Sequence, residues 1–144
     1  MPVASTRNAA MAASEPHMHA WPQAAASVGR ARRALRAALT GWALRELADV
    51  AELVLSELMT NAVQHARNPA GTVETHFSLL PGGDGVRLDV YDADRERWPR
   101  MRPATADDFG GRGLHLVDEL TRRRWGVHLR PDAPGKTVWA EVSR

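Results

Sequence analysis

The segment from Leu44 to Arg67 constrains the fold more than any other part of the chain. Leu47, Val50, Ala51, Val54, Leu58 and Ala62 recur at helical spacing, and Asn68-Pro69 stops the pattern. A residue before proline is pushed out of the α region, so the helix must end there. The spacing predicts a helix over Leu44 to Arg67 with one buried face. Inside it stands "SELMTNAVQHA", where Glu57, Asn61 and His65 form a polar stripe at i, i+4 and i+8. Asparagine is a poor interior helix former, because its amide competes for nearby backbone groups. The stripe is either a solvated face or the wall of a site.

The remaining segments follow by period. "SVGRARRALRAALTGW" has apolar positions at Val28, Ala31, Leu35, Ala38, Leu39 and Trp42, a second helix with its arginines mostly off the stripe. "TVETHFSLL" alternates, with Val73, Thr75, Phe77 and Leu79 on one side, and "VRLDVYD" does so with Val86, Leu88 and Val90. "PGGDG" between them predicts a hairpin turn. Ala93 to Asp108 has no period and reads as a long loop, a length that in compact domains usually serves function. "GGRG" then opens a short helix, "LHLVDELTRR", and the strands "WGVHLR" and "KTVWAEV" are joined by "PDAPG". This order predicts an α+β fold: a two-layer α/β sandwich, mainly antiparallel sheet with helices on one face. Residues 1 to 20 mix Ala, Ser, Pro and His without period and read as a disordered tail, leaving 21 to 144 as a single domain.

Composition narrows the function classes. There is no cysteine, which excludes a disulfide scaffold and a thiolate metal site. No apolar run is long enough to span a membrane and no secretory leader is evident, so the expected location is cytoplasmic. Lys+Arg 19 against Asp+Glu 17 give a net charge of only +2, and Lys136 is the only lysine. That balance does not make a nucleic-acid binder. The segment Glu46 to Ala66 holds Glu46, Asp49, Glu52 and Glu57 with no Lys or Arg, so phosphates would repel it as a recognition helix. "HMH", His17 to His19, lies in the tail with no third metal ligand near.

Four features carry chemistry. Glu57 and Asn61 project from one helix face; an amide oxygen can ligate Mg²⁺ and a neighbouring carboxylate can orient or deprotonate a nucleophile. "GGRGLHLVDEL", Gly110 to Leu120, offers helix N-terminal N–H groups to phosphate, and Arg112 adds a fixed charge. The alternative is an ordinary turn before a helix. "DVYDAD" ends a strand at Asp92, whose carboxylate could accept from a buried amino group; Asp92 with Asp94 could instead hold a metal. "GKTVWAEV" places Thr137 at the start of the last strand, either presenting its hydroxyl to a ligand or serving only as a β-branched strand residue.

In this order the four segments resemble the nucleotide-binding boxes of the GHKL (Bergerat-fold) ATPase/kinase superfamily. The resemblance runs from about Trp21 to Val142 and is strongest to the small stand-alone anti-sigma-factor serine/threonine kinases of actinobacteria. It implies ATP between sheet and helices under a mobile lid, with Asn61 on the Mg²⁺ that bridges the phosphates. Glu57 would be the general base or the residue orienting the attacking hydroxyl, Asp92 would bind the adenine amino group and Thr137 would support the adenine side. Gly110, Gly111 and Gly113 would form the lid, with Arg112 as a phosphate contact inferred from its charge. His65 matches the family pattern without an assigned role. Superfamily members often have glycines after the strand-end Asp; here none occurs before Gly110. The implied partners are a sigma factor, which the kinase sequesters, and an anti-sigma-factor antagonist, which it phosphorylates. Direct contact with nucleic acid or membrane is not expected. A homodimer fits the family, with the apolar side of the Val28–Trp42 helix available to it. The rival expectation is a nucleotide-responsive binding module that switches by lid ordering with little or no catalysis.

Overall fold

The computed structural model describes residues 15–64, 71–92, 109–131 and 135–144, with the backbone alone at 109–112. In chain order the elements are β1 (His17–Pro22), α1 (Ala26–Gly41), a 3-10 turn (Arg45–Leu47), α2 (Ala48–Gln64), β2 (Thr72–Leu79), β3 (Gly85–Asp92), α3 (Phe109–Leu120), β4 (Trp125–Leu129) and β5 (Lys136–Ser143). The strands form one sheet in the order β1-β2-β3-β5-β4, with every neighbouring pair antiparallel. The fold is α+β, as the alternation of periods predicts.

Strand pleating sorts side chains to two faces. Val73 and Phe77 of β2, Val86, Leu88 and Val90 of β3, and Val138, Ala140 and Val142 of β5 join one core. They meet Ala31, Leu35 and Leu39 of α1 and Val54, Leu55 and Leu58 of α2 in the same cluster. The intervening residues are polar or aromatic. Arg87 stacks its guanidinium 4.6 Å from the Trp139 ring centroid, lies 3.2 Å from Asp89, and His76 meets Tyr91 with ring centroids 4.5 Å apart. Between the helices, Glu52 is buried on α2 and accepts a hydrogen bond from Arg36 of α1, which also reaches Asp49 at 3.3 Å. The arginines of α1 are thus partly spent on the acids of α2.

Three boundaries differ from expectation. Residues 17–20 are not tail: they begin β1, which pairs with β2 from His17↔Phe77 to Pro22↔Thr72. Trp21 is buried and donates its indole N–H to Thr75 Oγ1 at 2.9 Å, while His19 stacks on Trp21 with centroids 5.2 Å apart. Burial, and then the neighbouring His17, push the His19 pKa below its ordinary value. The short alternation of His19 and Trp21 is a strand signal masked by the aperiodic sequence before it. The helix expected over Leu44 to Arg67 opens with the 3-10 turn and becomes α-helical at Ala48; Arg67 and His65 lie outside the described residues. The glycine cluster does not precede α3 as a loop. Gly110, Gly111 and Gly113 fall within the first turns of the helix itself. The expected loop from Ala93 to Asp108, with Asp94, lies outside the described residues.

Candidate nucleotide site

Helix α2 lies across β3 and β5, and α3 packs on α2. The buried face of α2, with Val54, Leu55, Leu58 and Ala62, seats it on the sheet. That anchoring leaves Glu57 and Asn61, one turn apart, half-buried rather than fully solvated. Glu57 and Asn61 are therefore not on a fully solvated face. Burial raises the Glu57 pKa above its ordinary value. A carboxylate made more basic in this way is a better proton acceptor.

Gly113 explains how α3 comes so close. A Cβ at that position would stand 2.2 Å from Glu57 Oε2 and 3.1 Å from its carboxyl carbon. Only a glycine lets the α3 backbone lie against the Glu57 carboxylate without displacing it. Of the three glycines expected in the lid, Gly113 is thus brought to Glu57. Gly110 and Gly111 are in the same helix through their backbone, and the Arg112 side chain lies outside the described residues.

Asp92 closes β3 and is buried, pairing in register with Lys136 of β5. Lys136 donates to Asp92 Oδ2 at 3.3 Å, and the two residues are 3% and 6% exposed for Lys136 and Asp92 respectively. Both lie on the pleat of Val90 and Val138, facing the helix layer. Thr137 does not join them. It pairs with Tyr91 and His128, one residue out of step, so the pleat turns it to the opposite face of the sheet. Its Oγ1 is buried there with no hydrogen-bond partner among the described residues. The residue that the structure sets beside Asp92 is Lys136, which sequence reasoning passed over. Two signals pointed to it: it is the only lysine, and it shares parity with Val138, Ala140 and Val142.

A nucleoside triphosphate needs a polar recess for its base, donors or a cation for its phosphates, and a basic group near the γ-phosphoryl. Asp92 with Lys136 is a buried charged pair facing the helices, and Asn61 and Glu57 line α2 beside the close-packed Gly113. The donor set fits. Among the described residues no cluster of three or more His, Asp or Glu side chains could hold a metal by itself. The amide of Asn61 together with phosphate oxygens is the arrangement that Mg²⁺ accepts, since it keeps most of its waters.

The described residues form a sandwich of helices on an antiparallel sheet, with Glu57 and Asn61 on α2 and Asp92 buried at the end of β3. Residues 21–141 match the family model of the histidine kinase-like ATPase domain, and the chain belongs to that family. The family includes kinases and ATPases, and membership implies the use of ATP. No curated protein matches the chain. Among the described residues, no helix is long and apolar enough to cross a membrane.

Proposed function

We propose that the chain is an ATP- and Mg²⁺-dependent protein serine/threonine kinase that sequesters a sigma factor and phosphorylates an anti-sigma-factor antagonist in the cytoplasm. The observation that carries the catalytic part is Glu57: half-buried, raised in pKa and one helical turn from Asn61. In the transfer, the hydroxyl of the antagonist attacks the γ-phosphorus, a new P–O bond forms, and the bond to ADP breaks. Glu57 takes the hydroxyl proton. Asn61 would hold Mg²⁺, which neutralises charge on the phosphates; positioning and neutralisation supply most of the catalysis in such reactions. Asp92 binds the base from the sheet side. Sigma-factor and antagonist binding follow from the resemblance to anti-sigma-factor kinases alone.

A second reading has its own observation. The contact of Gly113 with the Glu57 carboxylate leaves no room between them for an incoming hydroxyl. A nucleotide-responsive binding module, in which α3 shifts and transfer is slight, would use the same site.

The test is a thermal shift with ATP and Mg²⁺ on the native chain and on Asn61→Ala. Ligand at about 100 times its dissociation constant stabilises the native fold by about 2.7 kcal/mol, a rise of several degrees. The shift is expected to fall sharply in the variant. A native chain that shows no shift overturns both readings.

A further inference from the structure

The sheet ends at β4, which has β5 on one side and, among the described residues, no strand on the other. Two hydrogen bonds fix which of its backbone groups look outward. The Glu141 N–H donates to the Arg124 carbonyl at 2.9 Å, and the Arg130 N–H to the Gly135 carbonyl at 3.3 Å. In an antiparallel ladder, bonded pairs alternate with pairs that exchange no bond. Arg124 and Arg130 share parity with Gly126 and His128, so those residues bond inward to β5. Trp125, Val127 and Leu129 are left with their N–H and C=O groups on the outer edge.

Native sheets blunt an open edge with proline, with a bulge or with charge along the strand. Trp125–Leu129 contains no proline and no Lys, Arg, Asp or Glu, and it pairs with β5 without a break in register. Leu129 stands 50% exposed at its end. Charge lies at the two ends instead, with Arg122, Arg123 and Arg124 before the strand and Arg130 after it. The first three are exposed, and among the described residues their guanidinium groups have no ion pair or hydrogen bond. Arg122 and Arg123 hold φ 54° and 66°, in the left-handed region where glycine would cost less. These charges select the occupant of the edge. Two copies of β4 paired antiparallel about Val127 would set Arg124 of each against Arg130 of the other, and like charges directly opposite are destabilising. An acidic strand meets no such repulsion.

We propose that the outer edge of β4 takes an added antiparallel strand from a partner protein, an extended segment whose acidic residues follow its pairing residues and meet Arg122, Arg123 and Arg124. An antiparallel strand brings its C-terminal end to the start of β4, where those arginines stand. Backbone bonds to Trp125, Val127 and Leu129 supply affinity, and the arginines supply direction and selectivity. The edge needs no nucleotide for this.

The probe is a synthetic peptide, blocked at both ends, of alternating threonine and valine followed by a run of glutamates. Its dissociation constant for the full chain is measured by calorimetry, and the exchange of single amide hydrogens is followed by NMR. The peptide is expected to bind and to slow exchange at Trp125, Val127 and Leu129. Gly126 and His128, already bonded to β5, are expected to change little. Replacing the glutamates by glutamines, or reversing charge in Arg123→Glu/Arg124→Glu, is expected to weaken binding about 10-fold. Leu129→Pro removes one outward N–H and no bond to β5, and is expected to weaken binding by a similar factor. A second measurement leaves the chain native. N-methylation of the peptide at every second residue is expected to abolish binding in one phase of its alternation and to spare it in the other. Absence of binding overturns the proposal, as does binding that leaves the three amides in free exchange or that ignores both charge changes. Slow exchange at those amides that needs no peptide and deepens with chain concentration gives the edge to a second copy, and overturns the acidic partner.

Discussion

Glu57 shows what burial does to a single side chain. Its raised pKa means that the native state holds the proton more tightly than the unfolded chain does. Stability from this group is therefore full below the unfolded carboxylate pKa and is lost as pH rises through the raised folded value. Once ionised, the half-buried carboxylate is a liability to the fold. Glu57→Gln removes it. The variant is expected to melt above the native chain at about pH 7 and level with it below about pH 4, while losing phosphoryl transfer and keeping ATP binding. Equal melting temperatures at both pH values would reject burial as the cause. Glu57 and Asn61 were legible in the sequence, because an i, i+4 pair on a helix shares a face whatever surrounds it. Lys136 was not singled out, since its place beside Asp92 depends on the strand laid next to its own.

The helices end by backbone devices that the hydrophobic pattern does not announce. After α1, the Ala43 N–H bonds to the Thr40 carbonyl at 3.2 Å and the Leu44 N–H to the Leu39 carbonyl at 2.8 Å, the pairing of a Schellman motif. Leu39 and Leu44 are both buried, the apolar contact that accompanies it. The motif needs a left-handed residue, and Ala43 takes that part with φ 57°. Helix α3 closes in the same way, with Arg122 at φ 54° and the Arg123 N–H bonded to the Asp118 carbonyl at 2.8 Å. A side chain in the left-handed region costs about 1–2 kcal/mol that glycine avoids. Ala43→Gly is expected to stabilise the fold by about 1 kcal/mol in urea unfolding. Unchanged or lower stability would mean that the turn is not held as described. Element type was readable for most of the chain. The exception, β1, is short and signals itself only through His19 and Trp21.

At the scale of the whole molecule, β1 ties the start of the described chain to the sheet. Trp21 bridges to Thr75 across 54 positions of sequence and belongs to the core that both helices share. Trp21→Ala removes that ring, its hydrogen bond and the stack with His19, and leaves Thr75 buried. A loss of about 3 kcal/mol is expected, from the free energy of equilibrium unfolding. A loss below about 0.5 kcal/mol, the range of surface substitutions, would return this segment to the status of a tail. The sheet order β1-β2-β3-β5-β4 also explains why the site lies where it does. It places β5 beside β3, so that the end of one strand and the start of the other bring Asp92 and Lys136 together in register.

The sequence alone determined the α+β class, the central helix with Glu57 and Asn61 on one face, and the hairpin of β2 with β3. All of these rest on local period, and period is a property of neighbouring residues. Only the tertiary structure decided that Gly113 lies against Glu57, that Thr137 faces away from Asp92, and that Lys136 faces toward it. Each of those depends on register or on helix placement between distant segments, 44 positions apart for Asp92 and Lys136. A shift of one residue in strand pairing would have exchanged Lys136 for Thr137, because successive side chains on a strand point to opposite faces.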